Sequence, residues 1–134
     1  MYFEWKDSYE LGVEKIDKQH RKLFSIGDRL AVLIQTKEVM DNYEEVRQIL
    51  NELKDYTLYH FSSEEKLMRE ISYHDIVNHA IEHNFLRKKL KEIDTIEEAN
   101  HKVVVKLVSF LSDWISHHIL ITDVKVGNYI RTRK

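Results

Sequence analysis

Apolar and histidine side chains recur in alternating steps of three and four residues along four stretches of the chain. This spacing places successive side chains on one face of an α-helix, so each stretch predicts a helix with an inward face. The predicted inward positions are Ile16, His20, Leu23, Gly27, Leu30 and Ile34 in the first helix; Val46, Ile49, Leu53, Tyr56, His60, Glu64 and Leu67 in the second; Ile76, His79, His83, Leu86, Leu90 and Ile93 in the third; and Val104, Leu107, Leu111, Trp114, His118 and Ile121 in the fourth. The short breaks between these stretches predict an all-α, antiparallel up-down-up-down four-helix bundle.

Local signals divide the chain into an arm, a bundle and a C-terminal segment. Proline is absent and only three glycines are present, which leaves few helix breakers. Residues 1–16 show no sustained period and predict an extended N-terminal arm, followed by the bundle over about 17–120 and a C-terminal segment over about 121–134. Asp41, with Glu44 three residues later, is expected to cap the second helix, and Ser72 the third. The 134 residues are expected to form one domain.

Side chains that can bind metal lie on the inward faces, near alternating ends of successive helices. They are His20 near the start of the first helix, His60 and Glu64 near the end of the second, His79 and His83 near the start of the third, and His118 near the end of the fourth. Antiparallel neighbours would bring these positions to one level of the core, and Asp123 can turn back toward them. Each histidine taken singly is typical of a hydrogen-bonded core residue, but together they predict a metal site.

The donor set restricts which metal fits. Imidazole and carboxylate without thiolate suit iron, zinc or manganese. Five histidines and two carboxylates are too many for one tetrahedral zinc ion, but they suit two irons bridged by carboxylates. The Glu-x-x-His motif of ferritin-like di-iron bundles is absent from this cluster. His74, His101 and His117 fall off the inward faces and are expected at the surface, while Glu65 is expected to be solvated or to accept a hydrogen bond from a ligating imidazole.

Composition and charge limit the partners and the compartment. A formal net charge of -2, with basic and acidic residues mixed, provides no basic field for nucleic acid. The chain has no cysteine, which excludes a disulfide framework and a thiolate-held cluster. No signal peptide or membrane-length apolar run is apparent, so we expect a cytoplasmic protein without a membrane partner.

Four motifs together resemble the hemerythrin family, specifically its single-domain bacteriohemerythrins, from Trp5 to about Ile130. The motifs run from Gly12 to His20, from His60 to Met68, from His79 to His83 followed by Phe85, and from Trp114 through His118 to Asp123. One departure is His74, where relatives often carry proline. The resemblance implies a non-haem di-iron centre in which His79, His83 and His118 bind one iron, His20 and His60 bind the other, and Glu64, Asp123 and an oxo or hydroxo group bridge the two ions.

The resemblance also implies a function. O2 would bind reversibly at the iron of His20 and His60, which is one ligand short, and would be held there as hydroperoxide. The implied pocket lining is apolar and consists of Phe61, Trp114, Ile115 and Ile119. Azide would take the same position in the ferric state, and the protein would serve oxygen storage, delivery to an oxidase, or scavenging without being an enzyme. A di-iron oxidase, peroxidase or nitric-oxide-handling enzyme with a reductase partner, or an oxygen-sensing module, remain the alternatives.

Overall fold

The computed structural model describes residues 4–36, 43–95 and 101–133. A short 3-10 turn, Asp7–Tyr9, precedes α1 (Glu14–Thr36), α2 (Tyr43–Glu70) and α3 (Ile76–Leu90), which continues into a 3-10 turn at Lys91–Thr95. The last helical run consists of α4 (His101–His117), a π segment (His118–Asp123) and α5 (Val124–Thr132). The described residues contain helices and no strands, which confirms the predicted all-α four-helix bundle.

Side-chain contacts between neighbouring helices show their antiparallel order. As residue numbers rise along one helix, the numbers of their partners on the next helix fall. Between α1 and α2, His20 contacts His60 and Arg29 contacts Glu52. Between α2 and α3 with its 3-10 turn, Lys54 contacts Asp94 and Glu65 contacts Arg87. Between α3 and the last helical run, Glu82 contacts Thr122 and Phe85 contacts Phe110. Alternate helix ends therefore meet at one level.

The core is built from the inward faces that the spacing predicts. Leu30 in α1, Val46 in α2, Leu86 in α3 and Leu111 in α4 are each 0 % exposed, and all four belong to one hydrophobic cluster. Burying a side chain of this size stabilises the fold by about 1.5–3 kcal/mol. The apolar cluster thus fixes the register in which the helices present their polar inward residues.

The junction between α2 and α3 corrects one prediction. Ser72 does not cap α3; it has φ +53° and follows the end of α2. Its N–H donates to the Arg69 carbonyl and the Tyr73 N–H donates to the Met68 carbonyl, which is the Schellman pattern that ends a helix. Asp75 occupies the N-cap position of α3. The predicted Asp41 cap lies outside the described residues, and α2 begins with Glu44 and Glu45 in its first turn.

The C-terminal residues continue the last helix. The chain remains helical through Thr132, so the boundary predicted near residue 120 does not mark the end of the bundle helix. Ile121, predicted to point inward, is 50 % exposed because the π segment shifts the inward face. Within the described ranges, the run His101–Thr132 is long and apolar enough to cross a membrane by length and composition alone, although no run of membrane length was expected from the sequence. In the bundle, 44 % of its most apolar window is buried.

The N-terminal arm is fastened close to the first predicted ligand. The Asp17 carboxylate accepts hydrogen bonds from the N–H groups of Leu11 and Gly12 at 2.6 and 3.1 Å. Arg131 in α5 donates to the Leu11 carbonyl at 3.0 Å. These bonds hold the start of α1, and therefore the position of His20, against the C-terminal helix.

Candidate metal centre

The seven residues predicted as ligands lie together in the interior. Their exposed fractions are at most 2 %: His20 0 %, His60 1 %, Glu64 1 %, His79 2 %, His83 0 %, His118 2 % and Asp123 0 %. By contrast, His74 and His117 are exposed and His101 is half-buried. Helical spacing thus separates the five histidines of the cluster from the other three.

The cluster divides into two groups of possible ligand atoms that share both carboxylates. One group contains Glu64, His79, His83, His118 and Asp123, and the other contains His20, His60, Glu64 and Asp123. In each group the ligand atoms lie within 4.8 Å of one another. The arrangement could hold two ions, one with three imidazoles and one with two.

The three-imidazole group is formed by Nε2 atoms that face one oxygen of each carboxylate. Asp123 Oδ1 is 3.0 Å from His79 Nε2 and 3.0 Å from His118 Nε2. Glu64 Oε1 is 2.6 Å from His79 Nε2 and 3.1 Å from His83 Nε2. The Nε2 atoms of His83 and His118 are 2.9 Å apart.

The two-imidazole group faces the second oxygen of each carboxylate. His20 Nε2 is 2.9 Å from Asp123 Oδ2 and 3.2 Å from His60 Nε2. Glu64 Oε2 is 3.7 Å from His60 Nε2 and 4.0 Å from His20 Nε2. Each carboxylate therefore directs one oxygen to each group, which is the geometry of a bridging ligand.

These distances fit ligands gathered around an ion. Two donors that each bind one ion at about 2.1 Å and lie at right angles are about 3.0 Å apart. Glu64 Oε2 and both oxygens of Asp123 are buried and, apart from the imidazole nitrogens that face them, have no hydrogen-bond partner among the described residues. Such atoms are costly to bury unless a partner satisfies them. A pair of cations would satisfy these oxygens and the imidazole nitrogens that face them.

The π segment explains how one helix supplies two ligands. His118 and Asp123 are five residues apart, and on a regular α-helix this separation places side chains about 140° apart around the axis. A π turn contains one more residue than an α turn, so residues five apart lie nearly above one another. The segment His118–Asp123 is π-helical, and both side chains are buried in the cluster. On α2 and α3 the ordinary four-residue spacing achieves the same alignment for each ligand pair.

Three of the imidazoles have a hydrogen-bond partner on their outer nitrogen. His60 Nδ1 lies 2.8 Å from Gln19 Oε1, His83 Nδ1 lies 2.7 Å from Glu65 Oε2, and His118 Nδ1 lies 3.0 Å from Glu82 Oε1. With each Nε2 facing the cluster, Nδ1 carries the proton and donates. These bonds orient the rings for metal binding.

Of these outer partners, the sequence prediction included only Glu65. Gln19 lies beside His20 in the chain, but it contacts a histidine of α2, and Glu82 lies beside His83 but contacts the π segment. Arg87, which binds Glu65, was missed for the same reason. Periodicity within one helix does not report pairings between helices.

The electrostatics of the three-imidazole group favour a shared positive charge. Burial opposes a charge on His79, but contacts with Asp123 and Glu64 outweigh burial and raise the pKa of His79 to about 9. Burial likewise opposes a charge on His118, yet Asp123 and then Glu64 raise its pKa well above the usual range. Burial would raise the pKa of either carboxyl, but the neighbouring histidines hold both values low. Protons and metal ions therefore compete for the same positions.

The outer carboxylates are ionised as well. A hydrogen bond from His118, with a second from Thr122, lowers the pKa of Glu82 to about 2. Burial opposes the same change at Glu65, but bonds from His83 and Arg87 lower its pKa to about 2. Both groups are therefore strong acceptors at neutral pH.

Aromatic side chains stack on two of the imidazoles. Phe61 stacks on His83 with ring centroids 3.9 Å apart, and Trp114 stacks on His118 at 4.7 Å. Ile115 and Ile119, the other two residues of the predicted lining, are 2 % and 1 % exposed. The stacking contacts place Phe61 and Trp114 beside the three-imidazole group.

The chain is similar to one protein family over most of its length and to several known proteins named for that family. Residues 11–129 match the family described as "Hemerythrin HHE cation binding domain". A bacteriohemerythrin of Clostridium acetobutylicum is 37% identical over 123 residues, which cover 90% of this chain and 95% of that protein. A bacteriohemerythrin of Stenotrophomonas maltophilia is 30% identical over 95% of this chain and 80% of its own length. A hemerythrin-like protein of Naegleria gruberi is 25% identical over 92% of this chain and 89% of its own length.

Proposed function

This chain belongs to the hemerythrin family, and on that premise we propose that its buried centre holds two iron ions and binds O2 reversibly. The family and the histidine and carboxylate cluster support non-haem iron binding. The proposed ligands are those predicted: His79, His83 and His118 for one ion, His20 and His60 for the other, with Glu64 and Asp123 shared.

The two shared carboxylates carry the proposal. The three-imidazole group offers five protein ligand atoms and the two-imidazole group offers four. A single-atom oxo or hydroxo bridge would complete six ligands for the first ion and leave one position open at the second. Metal sites do their chemistry at such open positions. We therefore assign O2, and azide in the ferric state, to the side of His20 and His60.

The chain's own residues hold the ions and exclude water from them. When bound, the iron pair supplies the two electrons that reversible O2 uptake requires. Glu64 and Asp123 hold the two positions at a fixed separation through the paired contacts of their oxygens. The buried Ile115 and Ile119, with Phe61, keep water and its protons from the interior.

We propose a carrier in preference to an enzyme because of this lining. Phe61, Trp114, Ile115 and Ile119 contain no acidic or basic group that could transfer a proton to a substrate. The outer carboxylates are held by hydrogen bonds to ligand imidazoles, which assigns them to orienting those rings. Storage, delivery and scavenging all use this same reversible binding.

Azide provides a direct test of where a small ligand binds. Elemental analysis of the reconstituted protein is expected to give two irons per chain. A crystal structure of the ferric protein with azide is expected to show azide on the ion of His20 and His60. Azide on the ion of His79, His83 and His118 would contradict the assignment, and one iron per chain would contradict the proposed centre.

A further inference from the structure

We propose that the outer partners of the imidazoles give the two ions different reduction potentials, with the three-imidazole ion the easier to oxidise. The inference rests on the proposed two-iron function. It follows from an asymmetry: the outer acceptors of the three-imidazole group are carboxylates, Glu65 and Glu82, whereas that of the two-imidazole group is the amide of Gln19.

The negative charge of Glu82 is not offset by a paired guanidinium, unlike that of Glu65. Its Oε1 accepts from His118 Nδ1 at 3.0 Å and from the neutral Thr122 hydroxyl at 2.8 Å. His118 itself is 2 % exposed. The Thr122 donor carries no charge, and the Glu82 side chain is 42 % exposed, so only water screens the negative charge that acts on the His118 N–H.

Glu65 makes the corresponding contact to His83, but its charge is shared. Its Oε2 accepts from His83 Nδ1 at 2.7 Å. Arg87 also donates to both carboxylate oxygens, at 2.8 and 3.1 Å. This paired guanidinium offsets much of the carboxylate charge, so Glu65 should polarise its imidazole less than Glu82 does.

Among the described residues, no carboxylate bonds to an outer nitrogen of the two-imidazole group. His60 Nδ1 bonds to the Gln19 amide oxygen at 2.8 Å, and Gln19 is 3 % exposed. His20 Nδ1 has no hydrogen-bond partner in the described part of the chain, and neither has His79 Nδ1 in the three-imidazole group. A neutral acceptor polarises the imidazole N–H bond less than a carboxylate does.

The chemical consequence follows from ligand basicity. A carboxylate that accepts the outer N–H makes the imidazole a stronger donor to the metal. A stronger donor stabilises the ferric over the ferrous ion, which lowers the reduction potential. The ion of His118 and His83 therefore loses an electron first. In the protein that has lost one electron, the ferrous ion would therefore be the one held by His20 and His60.

Two reciprocal substitutions test the asymmetry. Glu82→Gln keeps an oxygen acceptor but removes the charge, and it should raise the lower of the two potentials measured by spectroelectrochemical titration with ferricyanide as oxidant. Gln19→Glu adds the missing carboxylate and should lower the higher potential. We expect each substitution to change the ratio of ferric to ferrous affinity about tenfold, the low end of what outer partners contribute to metal affinity, which corresponds to a shift of about 59 mV for one electron. Glu65→Gln should give a smaller rise than Glu82→Gln because Arg87 already offsets the charge.

The control is Asp113→Asn, which removes one negative charge from an exposed side chain on α4. It should leave the separation between the two potentials unchanged, which distinguishes a local contact from a change in net charge. If two irons bind and O2 binds reversibly, but Glu82→Gln behaves like Asp113→Asn, this inference alone is wrong. It is also wrong if Glu82→Gln moves the higher potential. A protein that binds no second iron would overturn both this inference and the proposed function.

Discussion

His118 and His117 form a matched pair for testing which side chains bind iron. The two residues are adjacent, yet His118 is buried in the cluster and His117 is exposed. His118 Nε2 lies 2.9 Å from His83 Nε2 and 3.0 Å from Asp123 Oδ1, so His118→Ala removes a donor from the middle of the three-imidazole group. His117→Ala removes the same side chain from the surface of the same helix.

The expected magnitude can be worked from the donor count. His118→Ala leaves four of the five protein ligand atoms in its group and all four in the other. Loss of an outer hydrogen bond already costs about 10–100-fold in metal affinity, so loss of a direct ligand should cost about 100-fold or more, which is about 2.7 kcal/mol. Iron content should therefore fall from two ions toward one per chain. His117→Ala should retain two.

The assay must separate metal loss from unfolding. Truncating a buried aromatic side chain costs about 3–5 kcal/mol of stability, out of about 5–15 kcal/mol for a typical domain. Each variant is therefore reconstituted anaerobically with ferrous iron and desalted. Its iron is counted per folded chain, with helix content followed by circular dichroism. Depletion in His117→Ala together with two irons in a folded His118→Ala would refute the ligand assignment on this helix.

Three further predictions concern the lining, the arm and the metal-free state. Ile119→Thr should shorten the lifetime of the oxygenated protein several-fold without removing iron, because a hydroxyl admits water to the interior. The matched Ile121→Thr, 50 % exposed, should not change the lifetime in the same spectroscopic assay. Gly12→Ala should lower the free energy of unfolding by about 1–2 kcal/mol in denaturant titrations, because Gly12 has φ +91°. In metal-free protein the raised pKa of His79, about 9 against 6.5, stabilises the fold fully below pH 6.5, and this stabilisation is lost as pH rises through 9; thermal midpoints should therefore fall between pH 7 and 10.

The sequence specified the inward faces well because burial and helical spacing are linked directly. His60 with Glu64, and His79 with His83, are four residues apart, and any α-helix places such pairs on one face. Each of these residues is buried where its spacing predicts. Antiparallel order then brings the pairs to one level without further information.

The departures arise where the chain leaves regular helical geometry. Ser72 adopts φ +53°, a conformation for which a serine gives no clear sequence signal, so the end of α2 resembled the start of α3. The π segment adds a residue to one turn, which places Asp123 in the cluster and turns Ile121 outward. A period of 3.6 residues cannot anticipate that shift.

The sequence pattern did not predict the hydrogen bonds on the outer imidazole nitrogens, for a different reason. Gln19 and Glu82 each lie next to a predicted ligand in the chain but bond to an imidazole on another helix. Such pairings depend on the rotation of one helix against another, which the pattern along a single helix does not contain. Only assembled coordinates place these side chains on their partners.

The most direct test of reversible O2 binding is the visible spectrum of one reconstituted sample, recorded anaerobically, after exposure to oxygen, and again after degassing. The proposed function predicts a new absorption band on exposure to oxygen and full return to the anaerobic spectrum on degassing, with two irons per chain throughout. A spectrum that changes with oxygen and does not return, accompanied by steady oxygen consumption when reductant is supplied, would contradict a carrier and indicate an oxidase.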